Sequence, residues 1–84
     1  MLSCCCEEFF KTYVVDKSSK DIGSFLNELG KKVPAVSLGS LRMKIQNIKY
    51  LAEQDRLNDT CVIAPLSKYS SQCEAAFEKA KTIK

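Results

Sequence analysis

An all-α fold, a compact bundle of about four helices with one short extended segment before the last, is predicted by three observations. Apolar residues recur at i, i+3, i+4 and i+7 in separate stretches of the chain, the spacing of a helix that buries one face. Ser and Asp stand at the starts of these stretches, where side-chain oxygens satisfy the first N–H groups. The 84 residues are 45% hydrophobic and 27% charged, which suits one folded domain and is too apolar for a disordered tail.

The first helix is expected from Ser3, as N-cap, to Val15. Its buried stripe is Cys6, Phe9, Phe10 and Tyr13, and Glu7 and Glu8 lie in its early turns, where the helix dipole favours negative charge. Ser18-Ser19-Lys20-Asp21 opens the second helix as an S-x-x-D capping arrangement. Ile22, Phe25, Leu26 and Leu29 form its apolar stripe, Gly30 takes the C′ position, and Pro34 prevents continuation.

The third helix begins at Ser37 or Ser40 and reaches Gln54. At about 100° per residue, Leu38, Leu41, Ile45, Ile48 and Ala52 share the core-facing arc. Met43, Asn47, Tyr50 and Leu51 fall on the far side, with Arg42, Gln46 and Lys49 along one flank and Lys44 along the other. Either this helix is wedged between two layers or it presents an amphipathic face to a partner. Periodicity lapses from Asp55 to Leu66, and Thr60-Cys61-Val62-Ile63 reads as an extended connector. Ser67 is expected to cap the last helix, whose stripe is Tyr69, Cys73, Ala76, Phe77 and Ala80, with Lys79, Lys81 and Lys84 at its C-terminal end.

Net charge is +3, but its distribution is uneven. Leu29 to Ala52 holds Lys31, Lys32, Arg42, Lys44 and Lys49 without a carboxylate, while the remainder is slightly acidic. A basic middle attracts anions, whether nucleic acid or an acidic protein face; a solvated helix face lacking Asp and Glu reads the same way. The cysteines are Cys4, Cys5, Cys6, Cys61 and Cys73: an odd number, three of them adjacent, with no secretory signal read before them. That pattern predicts free thiols in a reducing cytoplasm. Zinc held by Cys4, Cys6, Cys61 and Cys73 is disfavoured, because no CxxC pair and no histidine is present. Cys4 or Cys5, near a helix start, is an oxidation liability rather than a nucleophile. No apolar run approaches a membrane span.

The absence of histidine, of a glycine-rich phosphate loop and of nucleophile-elbow or zinc-protease patterns argues against an enzyme or a cofactor. The run Ser37-Leu38-Gly39-Ser40-Leu41-Arg42-Met43-Lys44-Ile45-Gln46-Asn47-Ile48-Lys49-Tyr50-Leu51 is chemically suited to a duplex. Ser40 and the helix-start N–H groups can hold phosphate. Arg42, Lys44 and Lys49 suit phosphate or guanine, and Gln46 and Asn47 can pair with adenine. Met43 and Tyr50 are residue types favoured at protein interfaces.

The same run resembles the third-helix signature of helix-turn-helix-like modules near the N-terminus of HNH-type and other restriction-like bacterial proteins. The resemblance covers mainly residues 37–51. It implies a bacterial or phage setting and recognition rather than catalysis, with Ser40, Arg42, Lys44, Gln46 and Asn47 at recognition positions. Two expectations follow: a duplex-DNA-binding module, as a homodimer or as part of a larger complex, or a protein-binding module such as a phage-encoded inhibitor or accessory factor acting on a defence nuclease. The long Gly30–Leu38 connection departs from a helix-turn-helix turn of about three to four residues.

Overall fold

The computed structural model describes residues 2–82, with the backbone alone at Leu2, and those residues form an all-α bundle without a strand. Helix α1 (Leu2–Phe9) runs without a break into a π-helical stretch, Phe10–Val15. Helices α2 (Ile22–Lys32), α3 (Leu38–Gln54) and α4 (Ser71–Ala80) follow. Lys84 lies outside the described residues, and Ser3 sits within α1 instead of capping it.

The buried stripe of the first helix is the expected one, widened by Cys5, and it continues through the π-helical stretch with Phe10 and Tyr13. Tyr13 meets Phe25 of α2 at 5.1 Å between ring centroids, and Phe10 meets Phe77 of α4 at 5.5 Å. Phe9 links the two pairs, its ring 6.0 Å edge-on from Phe10 and 5.6 Å from Tyr13, so one aromatic chain joins three helices, each pair adding about 1 kcal/mol beyond area burial. Leu41, Ile45, Ile48, Leu51 and Ala52 bring α3 against α1, α2 and α4, which makes it the central helix.

The helix boundaries differ from expectation where a nearer cap competes. Asp21, not Ser18, accepts from the Ser24 N–H at 3.3 Å and starts α2. Ser70, not Ser67, accepts from the Cys73 N–H at 3.2 Å and starts α4, leaving Tyr69 outside the helix. Gly30 does not end α2; it continues the helix to Lys32, and a Cβ there would stand 3.1 Å from Leu38 Cδ2. Its missing side chain lets the start of α3 approach closely, and the turn between the helices shortens to Val33–Ser37. At the end of α3, Arg56 adopts φ 56° in the position usually held by glycine. The Leu57 N–H reaches the Ala52 carbonyl at 2.9 Å and the Arg56 N–H the Glu53 carbonyl at 3.1 Å, a Schellman closure.

Residues 57–70 are extended but pinned. The Thr60 N–H donates to the Tyr13 carbonyl at 3.1 Å, a group the π turn leaves accessible, and the Leu66 N–H donates to the Gln46 carbonyl at 3.1 Å. The segment therefore crosses the outer side of α3. A connection this long without secondary structure of its own has to satisfy its polar backbone against a neighbour. No helix among the described residues is long and apolar enough to cross a membrane.

Candidate functional site

The outer face of α3 divides into an open half and a covered half. Ser37 caps the helix, accepting from the Ser40 N–H at 3.3 Å, and its hydroxyl donates to Ser40 Oγ at 3.1 Å. Beyond this cap Gly39, Ser40 and Arg42 are exposed, Leu38 is 50% exposed and Met43 57%. Leu38, expected in the core arc, instead lies beside Gly30 at the rim. A Cβ added to Gly39 would meet nothing within 4 Å, so internal packing places no demand for glycine there. Arg42 enters no ion pair among the described residues. Lys44 is half-buried on the flank toward α1 and α4, where its charge opposes the upward push of burial on the Cys5 and Cys73 thiols.

The covered half withdraws three expected contact residues. Asn47 Nδ2 donates to the Leu66 carbonyl at 2.9 Å and the Lys68 carbonyl at 2.6 Å, so both amide hydrogens are engaged and the two-point contact with adenine is closed to it. Lys49 Nζ lies 2.8 Å from Asp59 Oδ1 and 3.8 Å from Glu53 Oε1, with its side chain only 13% exposed. Tyr50 is half-buried, its ring 5.9 Å from that of Tyr69. Leu51, assigned to the far side, is buried. Gln46 is half-buried, and its backbone carbonyl holds the connector. Of the two arrangements open to α3, the wedged one holds over its C-terminal half.

The thiols take the opposite course from an activated cysteine. All five are free, and Cys5, Cys6, Cys61 and Cys73 are buried. Burial pushes Cys6 up to about 12 and Cys61 up to about 11, and raises Cys5 and Cys73 as well. Cys5 is thus shielded, and half-buried Cys4 is the accessible thiol. Among the described residues no group of three or more Cys, Asp or Glu is placed to hold a metal ion.

A groove of about 530 Å³ between the first two helices is lined by Glu8, Thr12, Lys20, Phe25, Glu28 and Lys32, among others. Two ion pairs cross it, Lys32 with Glu8 at 2.7 Å and Lys20 with Glu28, and Lys31 adds an exposed cation at its rim. A second groove, of about 270 Å³, has Asp55, Glu74 and Glu78 beside Tyr50 and Tyr69, with Lys81 pairing to Asp55 at 3.1 Å and to Glu78 at 2.9 Å. Among the described residues, the exposed unpaired cation on the outer face of α3 thus lies in its open N-terminal half, at Arg42, while carboxylates and lysines meet in pairs beyond its C-terminal end.

No protein-family model matches the chain, and neither does any curated protein or any solved structure.

Proposed function

We propose that this protein is a non-enzymatic nucleic-acid-binding module of the helix-turn-helix kind, of bacterial or phage origin, that reads duplex DNA with the N-terminal half of α3. The observation that carries this is the open stretch Leu38–Met43, with Arg42 exposed and unpaired among the described residues, directly after a short turn from α2. In such modules the residues at the start of the second helix approach base edges, while the rest of that helix packs on its own domain. Continuation of α2 through Gly30 brings the turn to five residues, near the usual length. The resemblance of residues 37–51 to restriction-like modules points the same way.

Ser40 and Lys44 serve phosphates in this reading, Arg42 a phosphate or guanine, and Gln46 a base edge at the limit of the open half. Met43 offers apolar contact to a thymine methyl. Affinity for a generic duplex, measured across a salt series, tests it. Arg42→Ala and Lys44→Ala are each expected to weaken binding and to lower the log–log salt slope by about 0.9. Unchanged affinity and slope in both variants would overturn the assignment.

Leu38 and Met43, large apolar side chains half exposed around Gly39, favour a second reading as a protein-binding module. A homodimer seen by light scattering and dissociated by Leu38→Glu, in a protein indifferent to duplex, would put that reading first.

A further inference from the structure

We infer that Lys68, on the connector, is a phosphate contact of the same surface, and that Asn47 is its positioning residue. This rests on the duplex-binding reading above and extends it to a second chain segment.

The connector is fastened over α3 at three residues, Leu66, Lys68 and Tyr69. The Leu66 N–H donates to the Gln46 carbonyl at 3.1 Å, and the Leu66 and Lys68 carbonyls accept from Asn47 Nδ2 at 2.9 and 2.6 Å. The Tyr69 ring then rests 5.9 Å from that of Tyr50. The Lys68 backbone is thus held on both sides, while its side chain is exposed and enters no ion pair among the described residues. Lys20, Lys32, Lys49 and Lys81 each face a carboxylate. Lys68 is a cation that the fold anchors and then does not use.

Its place is informative. Asn47 lies one turn, about 6 Å, beyond Met43 along α3. Arg42 and Lys44 lie on opposite flanks of the outer face, and the Lys68 carbonyl is held at Asn47, one turn past Met43, so the lysine joins the outer face where the open half ends. A duplex strand carries a charge about every 3.4 Å along its axis, so a surface of this extent faces more than one phosphate. Beyond the tyrosine pair, Lys81 already neutralises Asp55 at 3.1 Å and Glu78 at 2.9 Å, and is not free for a polyanion as Lys68 is.

The test uses the full chain and a generic duplex in a salt series, with folding followed by circular dichroism. Lys68→Ala is expected to lower the log–log salt slope by about 0.9, and Lys68→Arg to keep it. Asn47→Ala, which releases the Leu66 and Lys68 carbonyls, is expected to lower the slope by a similar amount, with little further loss in the double variant. An unchanged slope in Lys68→Ala, whose exposed side chain leaves folding intact, overturns the inference. A full slope in folded Asn47→Ala overturns its positioning part. Arg42-dependent binding with a Lys68-independent slope sinks this inference alone, whereas no duplex binding by the unsubstituted protein sinks the underlying reading with it.

Discussion

Lys49 and Asp59 form an ion pair of 2.8 Å between α3 and the connector, with side chains 13% and 3% exposed. Asp59 Oδ1 also accepts from the Cys61 N–H at 3.0 Å, so the carboxylate organises the connector as well as meeting the lysine. Removing one member of a buried pair leaves the other charged and poorly solvated, at a cost of about 3 kcal/mol. Lys49→Met is therefore expected to lower the urea unfolding free energy by about that amount, whereas exposed Arg42→Ala stays within about 0.5 kcal/mol of the parent. Equal stability of the two variants would contradict the pairing.

Arg56 occupies a left-handed backbone position, φ 56°, at the close of α3. A side chain there costs about 1 kcal/mol that glycine does not, partly offset by the greater freedom of glycine in the unfolded chain. Arg56→Gly is expected to raise stability by about 0.5 kcal/mol, and the β-branched Arg56→Val to lower it by about 1 kcal/mol. Thermal melts of the two variants check the sign; a Gly variant less stable than the Val variant rules out this origin.

Gly39 separates stability from binding. A Cβ there meets no atom within 4 Å, so Gly39→Ala is expected to gain about 0.5 kcal/mol from helix propensity. The same methyl group fills the low point between Leu38 and Met43, and duplex affinity is expected to fall several-fold. Joint measurement of melting temperature and affinity tests this, and an affinity that follows stability upward argues against close approach at this position.

The buried acids define an alkaline limit. Burial is the first cause that raises Cys6 from 9.0 to about 12, Cys61 from 9.0 to about 11 and Tyr13 from 10.0 to about 12. Below about pH 9 both folded and unfolded chains keep these protons, and the contribution to stability is full. Above it the unfolded chain loses protons that the folded chain retains, so stability declines as pH rises toward 11–12. Urea midpoints under reducing conditions are expected to drop between about pH 9 and pH 11, and less steeply in Cys6→Ala. A flat profile over that range refutes the assignment.

Much of the core was legible from spacing. Phe9, Phe10, Tyr13, Phe25, Leu26, Leu29, Ile45, Ile48, Cys73 and Phe77 are buried where apolar periodicity places them, because a helix turns its repeating face toward the other helices. Cap positions were less so: Asp21 and Ser70 compete with nearby serines of equal chemistry, and the choice depends on where the chain enters the bundle. Of the candidate surface, Ser40, Arg42 and Met43 are exposed as expected. Lys68 carried no signal, since it lies in an aperiodic stretch whose path is unrelated to helical phase.

The stripes, the all-α class and the charge asymmetry were properties of the chain read locally, since each follows from which side chains recur on one face. The fate of the outer side of α3 was settled by a segment distant in sequence. Asn47 is bonded to carbonyls 19 and 21 residues away, and Lys49 to a carboxylate 10 residues away. Helical phase states which face meets the core, but not whether a polar residue on the other face meets water or the unsatisfied backbone of a crossing strand of chain. That distinction depends on a path through space, and here it leaves only the first turns of α3 open.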